Sequence, residues 1–106
     1  MSGILQKTYD VLDARGWCQN VHQSSDGRVC LEGAFAYAIG AQIVEGVPSY
    51  DYRMEEPEND AAWRILCNTV KEETGIEAPL NWNDHPSTSV EDVKLVLKKA
   101  IERESM

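Results

Sequence analysis

Between Cys30 and Val44 the chain gathers six small residues, Gly33, Ala34, Ala36, Ala38, Gly40 and Ala41, in one apolar stretch. No other feature constrains the fold as tightly. Gly33 and Gly40 stand seven apart, as do Ala34 and Ala41, so on a helix the small residues share a face. Glycine costs about 1 kcal/mol against alanine inside a helix, and a closely approaching backbone offsets that cost. Leu31, Phe35, Ile39 and Ile43 form a larger apolar ridge beside the small face. The stretch predicts a helix over residues 30–44, central and buried by its neighbours.

Three more helices follow from periodicity. Leu5, Tyr9 and Leu12, flanked by Thr8 and Val11, predict a helix over 3–15 that stops at Gly16. Ala62, Ile65, Leu66, Thr69 and Val70, with Trp63 beside them, predict a helix over 59–74, capped by Asn59 or Asp60 and ended by Gly75. Val90, Val93, Leu97 and Ile101 predict a helix over 89–103. Thr88-Ser89-Val90-Glu91 reads as a capping box with Thr88 as the cap. Ser25-Asp26-Gly27 marks a turn, and a short hairpin near residues 20–30 and a plain loop fit it equally. Residues 45–59, with two prolines and two tyrosines, read as the long loop between helices two and three. Ala78-Pro79 favours extended chain, and Asn81 to Pro86 reads as a polar turn around Trp82. The expected fold is mainly all-α, a compact four-helix domain.

A chain of 106 residues fits one domain over 1–106, and 42% hydrophobic residues suffice for a core. Its formal charge of −8 repels phosphate backbones and anionic membrane surfaces, so neither nucleic acid nor membrane is an expected partner. The acidic surface suits a host or cellular protein with a basic or neutral surface, and leaves the oligomeric state open. No run of 18 apolar residues offers a membrane span, and the first residues lack a signal-peptide pattern. Cys18, Cys30 and Cys67, an odd and widely spaced set, fit free thiols in the cytoplasm.

Candidate chemistry is sparse. Cys30 stands where a helix start lowers a thiol pKa, with His85 as a base and Asn81 or Asp84 to orient it. Its Val-Cys-Leu frame instead fits a buried structural cysteine. Cys18-x-x-x-His22 has a usable ligand spacing but no second tight pair, so no metal site is expected. The acidic run from Asp51 to Asp60 lacks the glycine and register of a calcium loop. Phosphate-loop, dinucleotide, zinc-protease and nucleophile-elbow patterns do not occur, and no cofactor is expected. Tyr50, Asp51, Tyr52, Met54, Glu55 and Glu56 set aromatic and thioether side chains among carboxylates, which is good material for a protein-binding surface.

Three pieces recur in a known order: Arg15-Gly16-Trp17-Cys18, Cys30-Leu31-Glu32-Gly33-Ala34, and Trp82-Asn83-Asp84 before Thr88. With them the chain resembles, over roughly residues 4–102, a family of small actinobacterial and actinobacteriophage proteins known as a domain of unknown function. The stretch from Ile43 to Pro57 lies outside the resemblance. The resemblance implies a compact helical domain of bacterial or phage cytoplasmic origin, and no activity. Physically, Trp17 and Trp82 fit core anchors, and Asn83 and Asp84 fit turn and cap residues. The favoured function is a non-enzymatic protein-interaction module, a phage-encoded modulator of a bacterial host protein. The alternative is a small enzyme or ligand-binding protein whose pocket is lined by Trp17, Cys30, Trp82, Asn83, Asp84 and His85.

Overall fold

A computed structural model describes residues 3–50 and 53–105. Within them run α1 (Ile4–Arg15), α2 (Leu31–Ala38), β1 (Gln42–Val44), β2 (Val47–Ser49), a 3₁₀ turn (Arg53–Glu55), α3 (Pro57–Thr74), α4 (Pro79–Asn83) and α5 (Val90–Glu104). The fold is mainly helical, with a small two-stranded sheet that periodicity did not foretell.

Helix α1 buries Ile4, Leu5, Thr8 and Leu12. Its inward stripe is therefore rotated toward Thr8, leaving Tyr9 half-buried. Thr8 is tolerated inside because its hydroxyl donates to the Ile4 carbonyl at 2.9 Å. Gly3 leads into α1 without a side-chain cap. The Leu5 N–H is taken instead by Glu104 Oε1 at 2.9 Å, from the last turn of α5. A carboxylate there also complements the helix dipole.

The second helix stops at Ala38, six residues short of the expected Val44. Gly40, at φ +79°, is the cause. The Gly40 N–H bonds to the Tyr37 carbonyl and the Ala41 N–H to the Ala36 carbonyl, the double closure of a Schellman end. The chain then forms an antiparallel hairpin pairing Gln42 with Ser49, Ile43 with Pro48 and Val44 with Val47. Its two-residue turn, Glu45-Gly46, has positive φ at both positions, the pattern whose twist suits a tight hairpin.

The small face does receive a backbone at Gly33. A Cβ there would stand 2.3 Å from the His22 carbonyl oxygen. The approaching chain is the preceding loop and not another helix. That loop is tied by Cys18 N–H to Val29 O, Val29 N–H to Gly16 O, and Cys30 N–H to His22 O. Of the hairpin considered near residues 20–30, one antiparallel bridge between Gln23 and Val29 forms.

Helix α3 starts at Pro57, where a missing N–H is no loss. The expected cap Asn59 lies inside the helix, and its Nδ2 donates to the Arg53 carbonyl at 2.8 Å. The Pro79 segment, expected to be extended, opens the short helix α4 instead, because proline also suits a first helical position. At α5 the capping box lies one residue on. Ser89 accepts the Asp92 N–H, and Asp92 accepts the Ser89 N–H. Thr88 is buried and donates to the Trp82 carbonyl at 2.7 Å, joining the end of α4 to the start of α5.

One apolar core draws on all five helices, through Leu5 and Leu12, Leu31 and Phe35, Leu66 and Val70, Trp82, and Val93 and Leu97. Among the described residues no helix is long and apolar enough to cross a membrane.

Candidate functional site

The three motif pieces meet at one buried amide. Asn83 Oδ1 accepts from Trp17 Nε1 at 2.7 Å and from the Leu31 N–H at 3.0 Å. Asn83 Nδ2 donates to the Cys18 carbonyl at 3.2 Å and to Asp84 Oδ1 at 2.9 Å. Those four bonds fill the capacity of an amide side chain, and Asn83 has no exposed surface. Asp84 Oδ1 also accepts the Asn20 N–H at 2.8 Å, and Gln19 Nε2 bridges the carbonyls of Asn83 and His85. The Trp-Asn-Asp turn thus returns onto the first turn of α2 and fastens it to the loop after α1.

Cys30 caps α2, its Sγ accepting the Gly33 N–H at 3.3 Å, with no surface exposed. Burial pushes its thiol up to about 11, away from the reactive thiolate. Burial raises Cys18 and Cys67 as well. His85 is exposed, and its Nδ1 accepts the Ser87 N–H at 3.1 Å. Trp82 and His85 border a polar cleft of about 280 Å³ together with Ser87 and Asp92. Of the six residues of the alternative pocket, then, Trp82 and His85 face a cleft while Cys30 and Asn83 have no exposed surface at all. Among the described residues no three His, Cys, Asp or Glu side chains stand together as metal ligands would.

The role of Asp84 is open to a direct check. Asp84→Ala should cost about 1–2 kcal/mol by stranding one donor of the buried Asn83 amide and removing the bond from the exposed Asn20 N–H. Asp84→Asn keeps an oxygen for both and should cost less than about 1 kcal/mol. Thermal melts of the two variants measure this. An Asp84→Asn protein that melts like wild type yet loses partner binding would make the carboxylate functional.

A second cleft, of about 210 Å³, opens beside Glu32. Its walls are Glu32 and Phe35 from α2, Trp63 from α3, Met54 from the 3₁₀ turn, and Tyr50 just after β2. The Phe35 and Trp63 rings lie 5.0 Å apart between centroids, tilted by 54°. Glu32 stands in the first turn of α2, where the helix dipole favours a carboxylate. Tyr50 Oη donates to Glu32 Oε2 at 3.0 Å, and His22 Nε2 stands 3.2 Å from the same oxygen. Burial, and then the Glu32 charge, push the Tyr50 phenol far above its ordinary value, so it stays a donor. Glu55, Glu56 and Glu58 are exposed on the adjoining segment.

Of the candidate binding residues, Tyr50 and Met54 line this cleft, Glu55 and Glu56 lie exposed beside Met54 in sequence, and Asp51 and Tyr52 fall outside the described residues. Glu32, Phe35 and Trp63 were not among the sequence candidates. A signal existed for Glu32, the one charged residue between Cys30 and Val44.

A protein-family model matches residues 1–103 of the chain, described as a family of unknown function (DUF6197). No curated protein and no solved structure matches it.

Proposed function

Because the chain belongs to this family, whose description carries no activity, we propose its function from geometry: a non-enzymatic protein-interaction module. It receives a basic segment of a partner at the cleft of Glu32, Phe35, Tyr50, Met54 and Trp63 and along the exposed acids of residues 55–58. The observation that carries this reading is a carboxylate set in the wall of an open aromatic cleft, beside the exposed acids Glu55, Glu56 and Glu58. Aromatic anchors in a pocket, with a charged rim around them, are how protein interfaces concentrate their binding energy. The net charge of −8 adds steering toward a basic surface. In this reading the partner is a bacterial host protein and the chain a phage-encoded modulator, which the resemblance of its motif pieces favours. The free thiols Cys18, Cys30 and Cys67 fit a cytoplasmic setting.

Affinity capture from a bacterial lysate tests the face. Wild type should retain a partner that a Tyr50→Ala, Tyr52→Ala protein and a Glu55→Lys, Glu56→Lys protein both lose. The charge reversals fall on exposed positions beside the start of α3, where the helix dipole limits their cost to about 1 kcal/mol each, so both variants stay folded. Equal recovery by all three proteins would remove this face from the interaction.

A further inference from the structure

We infer that the cleft of Glu32, Phe35, Tyr50, Met54 and Trp63 is a lysine pocket: it admits one lysine side chain of a partner protein, with the ammonium paired to Glu32 and the stem along the rings. The inference rests on the reading of the chain as a protein-binding module and names what that module recognises. Size argues first. Small-molecule sites usually run to roughly 300–1,000 Å³, and this cleft holds about 210 Å³, room for one side chain rather than a cofactor-sized body.

Chemistry narrows the occupant. Three rings and a thioether line the walls, so the body of the occupant is apolar. Among the described residues Glu32 supplies the one charged wall, its side chain only 20% exposed. A carboxylate so withdrawn from water pairs best with a cation that brings its own apolar stem, and the faces of aromatic rings attract the same cation. Lysine and arginine both have such a stem. The carboxylate decides between them. Tyr50 and His22 both address Oε2, and Oε1 takes neither bond. One oxygen suits the point charge of an ammonium, whereas a guanidinium fork reaches its full strength on two.

His22 and Tyr50 act here as positioning residues. They fix the Glu32 rotamer before a partner arrives, so the ordering cost is met in the free protein. The His22 carbonyl is itself held by the Cys30 N–H at 3.1 Å, which ties the pocket to the close approach at Gly33.

The test begins with selection of random peptides displayed on phage against the whole chain. The best binder is then synthesised with each lysine replaced in turn by norleucine, its uncharged analogue, and by arginine. Enriched peptides should share a lysine whose change to norleucine weakens binding at least about tenfold, with arginine in between. Glu32→Gln should weaken the lysine peptide by a similar factor and leave the norleucine peptide unchanged, measured at a temperature where melts show both proteins folded. The norleucine comparison uses wild-type protein, so it stands even if Glu32→Gln folds poorly. Norleucine or arginine binding as tightly as lysine would overturn the lysine pocket while leaving a protein-binding module in place. Selection that enriches no peptide on the wild-type surface, or only peptides that bind equally well after Tyr50→Ala, would overturn the module reading and the pocket with it.

Discussion

Asn83→Ala should cost the fold about 3–5 kcal/mol, as a side chain whose removal strands several buried groups at once. The amide, itself without exposed surface, takes two donors and gives to two acceptors. Alanine leaves the Leu31 N–H, the Trp17 indole N–H and the Cys18 carbonyl without that partner. Each unsatisfied buried group costs roughly 1–3 kcal/mol. The Leu31 N–H is especially exposed to this loss, because the first turn of a helix has no internal partner for its N–H groups. For a domain of this size the melting temperature should fall by more than about 10 °C, measured by circular dichroism. Asn83→Asp should also destabilise. It keeps the acceptors, but sets a second carboxylate oxygen where Nδ2 now donates to Asp84. A loss under about 1 kcal/mol for Asn83→Ala would mean that water takes over these bonds.

Gly33→Ala is the second large effect, and its sign runs against helix propensity. On an open helix the change would stabilise by about 1 kcal/mol. Here the new Cβ would stand 2.3 Å from the His22 oxygen and 3.3 Å from the Val29 Cβ. The obstacle is backbone, which does not swing aside as a long side chain would. Overpacking costs about 1–3 kcal/mol, and displacing His22 also weakens its bond from the Cys30 N–H, worth about 0.5–1.5 kcal/mol. The net expectation is a destabilisation of about 2–3 kcal/mol, read from urea or thermal melts. Wild-type stability in Gly33→Ala would show that the loop can retreat from α2 at no cost. The variant should also loosen Glu32 through His22, so partner binding should suffer more than the loss of folded protein explains.

The helices with long stripes were legible in the sequence. Those of α1, α3 and α5 run for several turns, so one misplaced residue, such as Tyr9 for Thr8, leaves the element standing. The end of α2 was not. Gly40 sits seven after Gly33, and that spacing reads as a helical face just as well as it reads as a stop. The β-branched Ile43 and Val44 and the Glu45-Gly46 turn were the cues that tip the balance toward a hairpin. Helix α4 spans Pro79 to Asn83, too short to show a period, and exists because Asn83 and Thr88 fasten it. The capping box was found but placed one residue early, since Thr88 and Ser89 are both good caps and only burial separates them.

The site was half legible for a related reason. Tyr50 and Met54 stand out among acids in a loop. Phe35 and Trp63 lie on the inward faces of helices, where an aromatic reads as core. Whether a core-facing ring pair opens to solvent depends on how α2 meets α3 and on the segment that covers them. Neither is encoded in a local pattern. The alternative pocket required Trp17, the start of α2 and the Trp-Asn-Asp turn to meet, and Asn83 was read as a turn and cap residue; that its amide joins all three was not legible, because a single asparagine carries no spacing.

The bond from Leu5 to Glu104 joins residues 99 positions apart. It gives α1 the cap that Gly3 lacks, and it makes the backbone nearly a ring. In a ring the elements have a cyclic order but no first member. The opening could be moved to the exposed turn at Ser25-Asp26, with a short linker running from Ser105 to Gly3, and each helix would keep its neighbours. What α1 and α5 require is contact with each other, and the direction from which the chain supplies it is a property of the gene and not of the fold.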